Sequence, residues 1–195
     1  MEHIARVELR GAAREVVVFL EGVSDVAAVT VLAERAGVDL ARVELVSLDG
    51  VTNMRKALTE CVLERPDAGT FGLCDGGEVR FVMKALHAVG HPVADVGELP
   101  EFGFFVCRAD LEDELIRALG PDRVLGVIDR LGLRVKLDTL QQQPAWSSRP
   151  LAEQLHRFCG VASGRKELLA RELARELAED EVPEPLRMLV ARLPR

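Results

Sequence analysis

Four short apolar runs within residues 16–107 constrain the fold more than any other feature of this sequence. Each run has the length of a β-strand, and a segment with apolar residues at helical spacing follows it. The runs are residues 16–20 (VVVFL), 43–48 (VELVSL), 71–74 (FGLC) and 102–107 (FGFFVC). Strands that are apolar throughout and alternate with helices are typical of a parallel sheet covered on both faces. The sequence therefore predicts an α/β fold with a parallel sheet of about four strands flanked by helices.

The pattern changes near residue 120. Beyond it the segments have helical spacing, and only LRVKL (133–137) is a candidate for a short edge strand. We therefore predict an α/β domain over residues 1–120 and a helical C-terminal extension over residues 121–195, packed on that domain. Within the first part, Ser24 is placed to cap the helix that follows the first strand.

Composition excludes several classes of protein. With 195 residues, 48% of them hydrophobic, the chain is long enough for a real core and is not expected to be disordered. Only 4% are aromatic, which argues against base-stacking platforms for single-stranded nucleic acid. The four cysteines form no C-x-x-C pair, so we expect thiols in a reducing compartment and no structural zinc. Because there is no signal-peptide core and no membrane-spanning run, we expect a cytoplasmic protein with no membrane partner.

Carboxylates follow the predicted strands. Glu21 comes directly after the first strand, Asp75 after the third, and Asp110 and Glu112 shortly after the fourth; Asp25 lies one helical turn beyond Glu21. Since parallel strands end at one edge of the sheet, these five side chains could converge there. Crowded carboxylates repel each other, and a hard divalent cation such as Mg²⁺ or Mn²⁺ relieves the repulsion. The pattern predicts a metal site.

Each acid also has a structural alternative. A single Asp after a strand is usually a turn residue or a helix cap, which applies to Asp110, and Asp25 can be a first-turn acid of its helix. Glu21 is a poor cap, and the adjacent Gly22 indicates a close approach of backbone or ligand, so it is the strongest candidate. The three histidines after residue 80 lack paired spacing and are expected to be structural or surface residues; they are His87, His91 and His156.

The segment EGVSD (21–25), after an apolar strand, resembles the first motif of the TOPRIM domain. That domain is shared by bacterial primases, type IA and II topoisomerases and the OLD-family (overcoming lysogenization defect) nucleases. The resemblance to the OLD type runs from about residue 15 to the end of the chain. It is carried further by LDGVTNMRKAL (48–58), FVCRADLEDELIRALG (105–120) and SGRKELLARELA (163–174). It implies a Rossmann-like TOPRIM fold.

The resemblance also implies roles for individual residues. Glu21 would bind metal or act as a general acid/base, and Lys166 would stabilise charge on the phosphoryl group. The other implied metal ligands are Asp25, Asp75, Asp110 and Glu112. From the residues alone, the favoured interpretation of Lys166 is an ordinary solvated lysine among the i,i+4 pairs of its helix.

The sequence departs from the OLD pattern in two places. The third motif, CDGGE, keeps Asp75 but has Gly77 where the D-x-D pattern has its second Asp. Glu78 could replace it with a longer side chain, or it could be a first-turn acid of the next helix. The sequence has no G-x-x-x-x-G-K-[ST] motif, so it resembles a free-standing TOPRIM domain without the ATPase domain of OLD nucleases.

The resemblance implies a Mg²⁺- or Mn²⁺-dependent endonuclease that hydrolyses phosphodiesters without ATP. Its expected partner is nucleic acid, with DNA favoured over RNA; a separate ATPase protein and a homodimer are further candidates. Two alternatives stay open. One is a non-catalytic TOPRIM-like module that binds nucleic acid or protein, and the other is a nuclease subunit of a separate ATPase.

Overall fold

The four apolar runs form one parallel sheet in the computed structural model, which describes residues 15–195. The strands are β1 (Val16–Leu20), β2 (Val43–Ser47), β3 (Gly69–Asp75) and β4 (Phe104–Cys107), in the order β2-β1-β3-β4. The register pairs Leu20 with Ser47 and Asp75 with Cys107, so the strands end at one edge. The predicted α/β fold with a four-stranded parallel sheet is confirmed. Residues 1–14, which the predicted first domain includes, lie outside the described residues.

Helices cover both faces of the sheet. They are α1 (Val23–Arg35), α2 (Met54–Glu64), α3 (Val79–Ala88), α4 (Leu111–Leu119), α5 (Pro121–Arg130), α6 (Arg134–Gln141), α7 (Leu151–Cys159), α8 (Ser163–Glu176) and α9 (Glu184–Ala191). Short 3₁₀ turns span Leu40–Arg42, Val51–Asn53, Val96–Phe102 and Glu179–Glu181. No helix among residues 15–195 is both long and apolar enough to cross a membrane.

Alternation along β1 explains why this strand is apolar at every position. Val18 and Leu20 point into a large core shared with α1 and with the helices from α4 onward. Val17 and Phe19 point the other way, into a smaller core with α2 and α3. A strand buried on both faces has no solvated side, and so its sequence shows no polar alternation.

The candidate edge strand at residues 133–137 is wrong, because this segment enters helix α6. Leu133, Leu137 and Leu140 are buried, at helical i, i+4 and i+7 spacing. Val135, which a strand would place on the same face as the two leucines beside it, is 75% exposed. The apolar segment is too short for its period to be decided without Leu140.

The predicted cap at Ser24 is also wrong. Helix α1 begins at Val23, with Gly22 at the capping position. The Asp25 carboxylate accepts a hydrogen bond from the backbone N–H of Gly22 at 3.2 Å, and the Ser24 hydroxyl donates to the same oxygen at 3.2 Å. The carboxylate, not the hydroxyl, therefore holds the turn between β1 and α1.

Candidate metal centre

Three carboxylates meet at the edge where β1 and β3 end. Glu21 follows the last residue of β1, Asp75 is the last residue of β3, and Glu78 occupies the capping position of α3. One oxygen from each side chain lies within 4.8 Å of the other two. β1 and β3 are hydrogen-bonded neighbours, so strand order alone brings Glu21 and Asp75 together. We call Glu21, Asp75 and Glu78 the acidic triad.

A tight turn after β3 sets the position of the triad. The N–H of Gly76 donates to the carbonyl of Ala109 at 3.1 Å, which ties this turn to the segment after β4. A Cβ atom on Gly76 would lie 2.5 Å from the Arg108 carbonyl oxygen, a backbone clash, whereas one on Gly77 would meet nothing within 4 Å. Sequence reasoning missed Gly76. The available signal was a glycine directly after a buried strand.

Asp25 lies beside the triad but outside it. Its side chain is buried, and burial raises its pKa; the Lys166 ammonium opposes this effect and the Glu21 carboxylate adds to it. The same carboxylate receives the hydrogen bonds from Gly22 and Ser24. Asp25 therefore anchors the turn that carries Glu21, in addition to any ligand role.

Lys166 joins helix α8 to the acids of the other elements. Its Nζ lies 3.5 Å from Oε1 of Glu112, a buried carboxylate on α4. Burial acts to lower the pKa of Lys166, but the carboxylates of Glu112 and Asp25 outweigh it and raise the pKa above its ordinary value. The lysine is half-buried among acids and stays positively charged, unlike a solvated lysine of the helix surface.

Asp110 uses both of its oxygens. Oδ1 accepts from the N–H of Asp113 at 2.8 Å and caps α4, as the structural alternative proposed. Oδ2 lies 2.7 Å from Nε2 of His156, on α7. Sequence reasoning treated His156 as structural or surface. The two residues are separated by 46 positions, so no local pattern indicates the contact.

The six predicted metal ligands thus fall into two groups of three. Glu21, Asp75 and Glu78 share one small volume, whereas Asp25, Asp110 and Glu112 are not within the same ligand distance. Two of this second group, Asp25 and Glu112, interact with Lys166. The structure thus brings Glu78, the longer-armed candidate, to Asp75 and Glu21.

No known family model matches this sequence, and comparison with curated proteins finds no relative. Solved structures do match. The C-terminal region of the Xanthomonas campestris pv. campestris OLD protein, in a structure phased with platinum, gives a TM-score of 0.67 at 24% identity, covering 93% of this chain and 92% of that one. The C-terminal region of the Burkholderia pseudomallei OLD protein gives 0.64 at 20% identity, covering 93% and 96%. This chain has the fold of the OLD C-terminal region. The resemblance to the OLD-type TOPRIM domain is confirmed at the level of the fold.

Within this OLD-type fold, the pKa values of two triad acids, Asp75 and Glu78, are raised. Burial, together with the carboxylates of Glu21 and Asp25, raises the pKa of Asp75 to about 9. Burial and Glu21 raise the pKa of Glu78 to about 7. Without a compensating cation, Asp75 is protonated at neutral pH and Glu78 is about half protonated.

The donor set of the triad fits a hard divalent cation. All three side chains offer carboxylate oxygens, and Oε2 of Glu78 is buried with no hydrogen-bond partner. A buried, unpartnered carboxylate oxygen is costly, and a cation would satisfy it. Oxygen-only ligands favour Mg²⁺ or Mn²⁺ over softer metals.

Proposed function

We propose that this protein is a divalent-metal-dependent phosphodiesterase that cleaves nucleic acid without ATP, and that Glu21, Asp75 and Glu78 hold Mg²⁺ or Mn²⁺. The observation that carries the proposal is the acidic triad, with ligand oxygens within 4.8 Å of each other at the carboxyl edge of the sheet. The OLD-type fold and the resemblance of residues 21–25 to the TOPRIM motif of OLD nucleases support the reaction class.

The protein residues have separable roles in such a reaction. A bound divalent cation supplies Lewis-acid polarisation of the phosphodiester and a nucleophilic water at neutral pH. Glu21 would accept a proton from the attacking water, since its carboxylate lies at the end of β1 beside the other two acids. Lys166 stays charged beside Glu112, and it stabilises the negative charge that develops on the phosphoryl oxygens.

The remaining acids support these groups. Asp25 holds the Gly22 turn next to Glu21, and together with Glu112 it keeps the Lys166 ammonium at the site. We propose that one of Asp25, Asp110 and Glu112 supplies an oxygen to a further cation position when substrate phosphate is present. Phosphate oxygens commonly complete the coordination of Mg²⁺ held by only one or two carboxylates.

The test is cleavage by purified protein of supercoiled plasmid, linear duplex and single-stranded substrates, each in Mg²⁺, Mn²⁺ or Ca²⁺ and without ATP. We expect cleavage in Mn²⁺ and Mg²⁺ but not Ca²⁺, because Ca²⁺ accepts looser geometry and activates water less well. Glu21→Ala should lose activity by about 100-fold or more.

The matched control is Glu101→Ala, which removes an exposed glutamate near the amino end of β4, at the opposite edge of the sheet. It should cleave like the wild type. Equal cleavage by wild type and Glu21→Ala would identify a contaminating nuclease, and the absence of cleavage with every substrate would refute the proposal. Titration calorimetry with Mn²⁺ should show binding that Asp75→Ala abolishes.

A further inference from the structure

A groove lies between helices α2 and α3, on the sheet face covered by the smaller core. Its volume is about 720 Å³, and it is open to solvent. The side chains that line it include Thr52, Arg55, Phe81, Lys84 and His87. It is therefore a surface channel with two basic side chains, Arg55 and Lys84, and none of the three triad acids lines it.

The basic side chains of this groove have no acidic partners among the described residues. Arg55, Lys84 and His87 are exposed, and within residues 15–195 none forms a hydrogen bond or ion pair with a carboxylate. Residues 79–94 contain no Asp or Glu at all. The net charge of the chain is −7, so a local surface of unpaired positive charge stands out against an acidic background.

The two helices that flank the groove begin near the metal centre. The turn Val51–Asn53 follows Gly50, whose N–H donates to the carbonyl of Glu21 at 3.1 Å, and α3 begins directly after Glu78. Both walls therefore run outward from members of the triad. Helix α3 is about 15 Å long at 1.5 Å per residue.

We propose that this groove binds one strand of nucleic acid, the segment that adjoins the phosphodiester at the metal centre, through phosphate contacts from Arg55 and Lys84. The proposal rests on the proposed function for its substrate class and adds the path of the strand. An acidic protein repels nucleic acid unless local cations offset its field, and Arg55 and Lys84 supply such cations on two helices that begin near the triad.

The groove suits one strand better than a duplex. Its volume falls in the range of small-molecule pockets, about 300–1,000 Å³, which accommodates a few nucleotides. Phe81 is the one aromatic among the residues that line it, so recognition depends on phosphates rather than on stacked bases. Phosphate contacts position a strand without reading its sequence.

The test is fluorescence anisotropy with a short labelled single-stranded oligonucleotide, in Ca²⁺ buffer at several salt concentrations. The test variant is the double charge reversal Arg55→Glu with Lys84→Glu. The matched control is Lys136→Glu with Arg192→Glu, which changes the net charge equally at two exposed cations outside the groove. Thermal melts of both variants verify that they are folded.

We expect the groove variant to bind at least tenfold more weakly than the wild type at low salt. Its plot of log K against log salt should be shallower by about 1.4, since each lost single-strand phosphate contact removes about 0.7. The control should stay within about twofold of the wild type and keep its slope.

Three results would overturn the proposal: equal loss in groove variant and control, no oligonucleotide binding by the wild type at low salt, or a mononucleotide that binds as tightly as the oligonucleotide. Cleavage assays separate this proposal from the proposed function. A groove variant that binds and cuts like the wild type refutes the groove alone. A wild type that binds through the groove but never cuts refutes the nuclease proposal alone.

Discussion

Asp75→Asn should make the metal-free protein more stable at neutral pH. The pKa of Asp75 is raised from 3.8 to about 9 by burial and by Glu21 and Asp25. Between pH 3.8 and about pH 9, the Asp75 carboxyl binds more protons in the native state than in the unfolded state. The free energy of unfolding therefore falls as pH rises through this range. The variant replaces the acid with a neutral group of the same shape and removes this penalty.

The size of the effect follows from the width of the window. Between 3.8 and pH 7, at 1.36 kcal/mol for each pH unit, the penalty of the Asp75 carboxyl reaches an upper bound of about 4 kcal/mol. Solvent screening at the open sheet edge reduces it to about 1–2 kcal/mol. A domain of this size gains about 2–4 °C in Tm for each kcal/mol, which predicts a rise of about 2–8 °C at pH 7.

The assay is thermal unfolding in EDTA at pH 4 and pH 7, followed by the same melts with excess Mn²⁺. The gain should be present at pH 7 and small at pH 4, where the native carboxyl is protonated and the unfolded one, with a pKa of 3.8, is already partly protonated. Mn²⁺ at 100 times its Kd should stabilise the wild type by about 2.7 kcal/mol and leave Asp75→Asn unchanged. The control is Asp67→Asn, an exposed acid shortly before the other end of β3.

Two results would refute this reasoning. One is a Tm for Asp75→Asn at pH 7 in EDTA that equals or falls below that of the wild type. The other is equal stabilisation of both proteins by Mn²⁺, which would show that Asp75 does not contribute to the cation site.

Further variants test the turn after β3 and the contact between Asp110 and His156. Gly76→Ala should abolish Mn²⁺ binding in calorimetry because its Cβ meets a backbone oxygen, whereas Gly77→Ala should bind normally; equal binding by both would refute the role of the turn. Gly77→Asp adds a carboxylate in open space beside Asp75 and should tighten Mn²⁺ about tenfold, or about 1.4 kcal/mol; weaker binding would count against the triad as the site. His156→Ala frees an oxygen of Asp110 and should lower kcat about tenfold with KM little changed, partly restored by His156→Gln; an unchanged kcat would leave that contact without a catalytic role.

Much of the candidate site could be predicted from the chain because strand polarity is a strong constraint. Once β1 and β3 are known to be parallel strands, the residues that follow them must share one edge. Glu21 and Asp75 therefore meet whatever the helices do. The position of Glu78 was harder to predict, because it depends on the turn after β3. That turn packs closely against the backbone of Arg108, and only a glycine fits at position 76.

Predictions from short sequence patterns were wrong where the same pattern is compatible with two local structures. Residues 133–137 alternate like a strand, and only burial of Leu140 in the large core shows their helical period. Ser24 has the chemistry of a helix cap, but the helix already begins at Val23, and the Ser24 hydroxyl donates to the carboxylate of Asp25. In both cases the competing interaction lies in the packing or in a neighbouring side chain, which propensity does not weigh.

The sequence by itself determined the parallel sheet and the acids at its edge, because burial on both faces and the repeat of strand and helix leave few other arrangements. Only the tertiary structure decided which acids share a volume and which pair with Lys166 or His156. Those contacts join residues tens of positions apart, through helices whose docking depends on the complete core. Periodicity shows which face of each helix is buried, but the neighbour that the face meets is decided by packing with every other element.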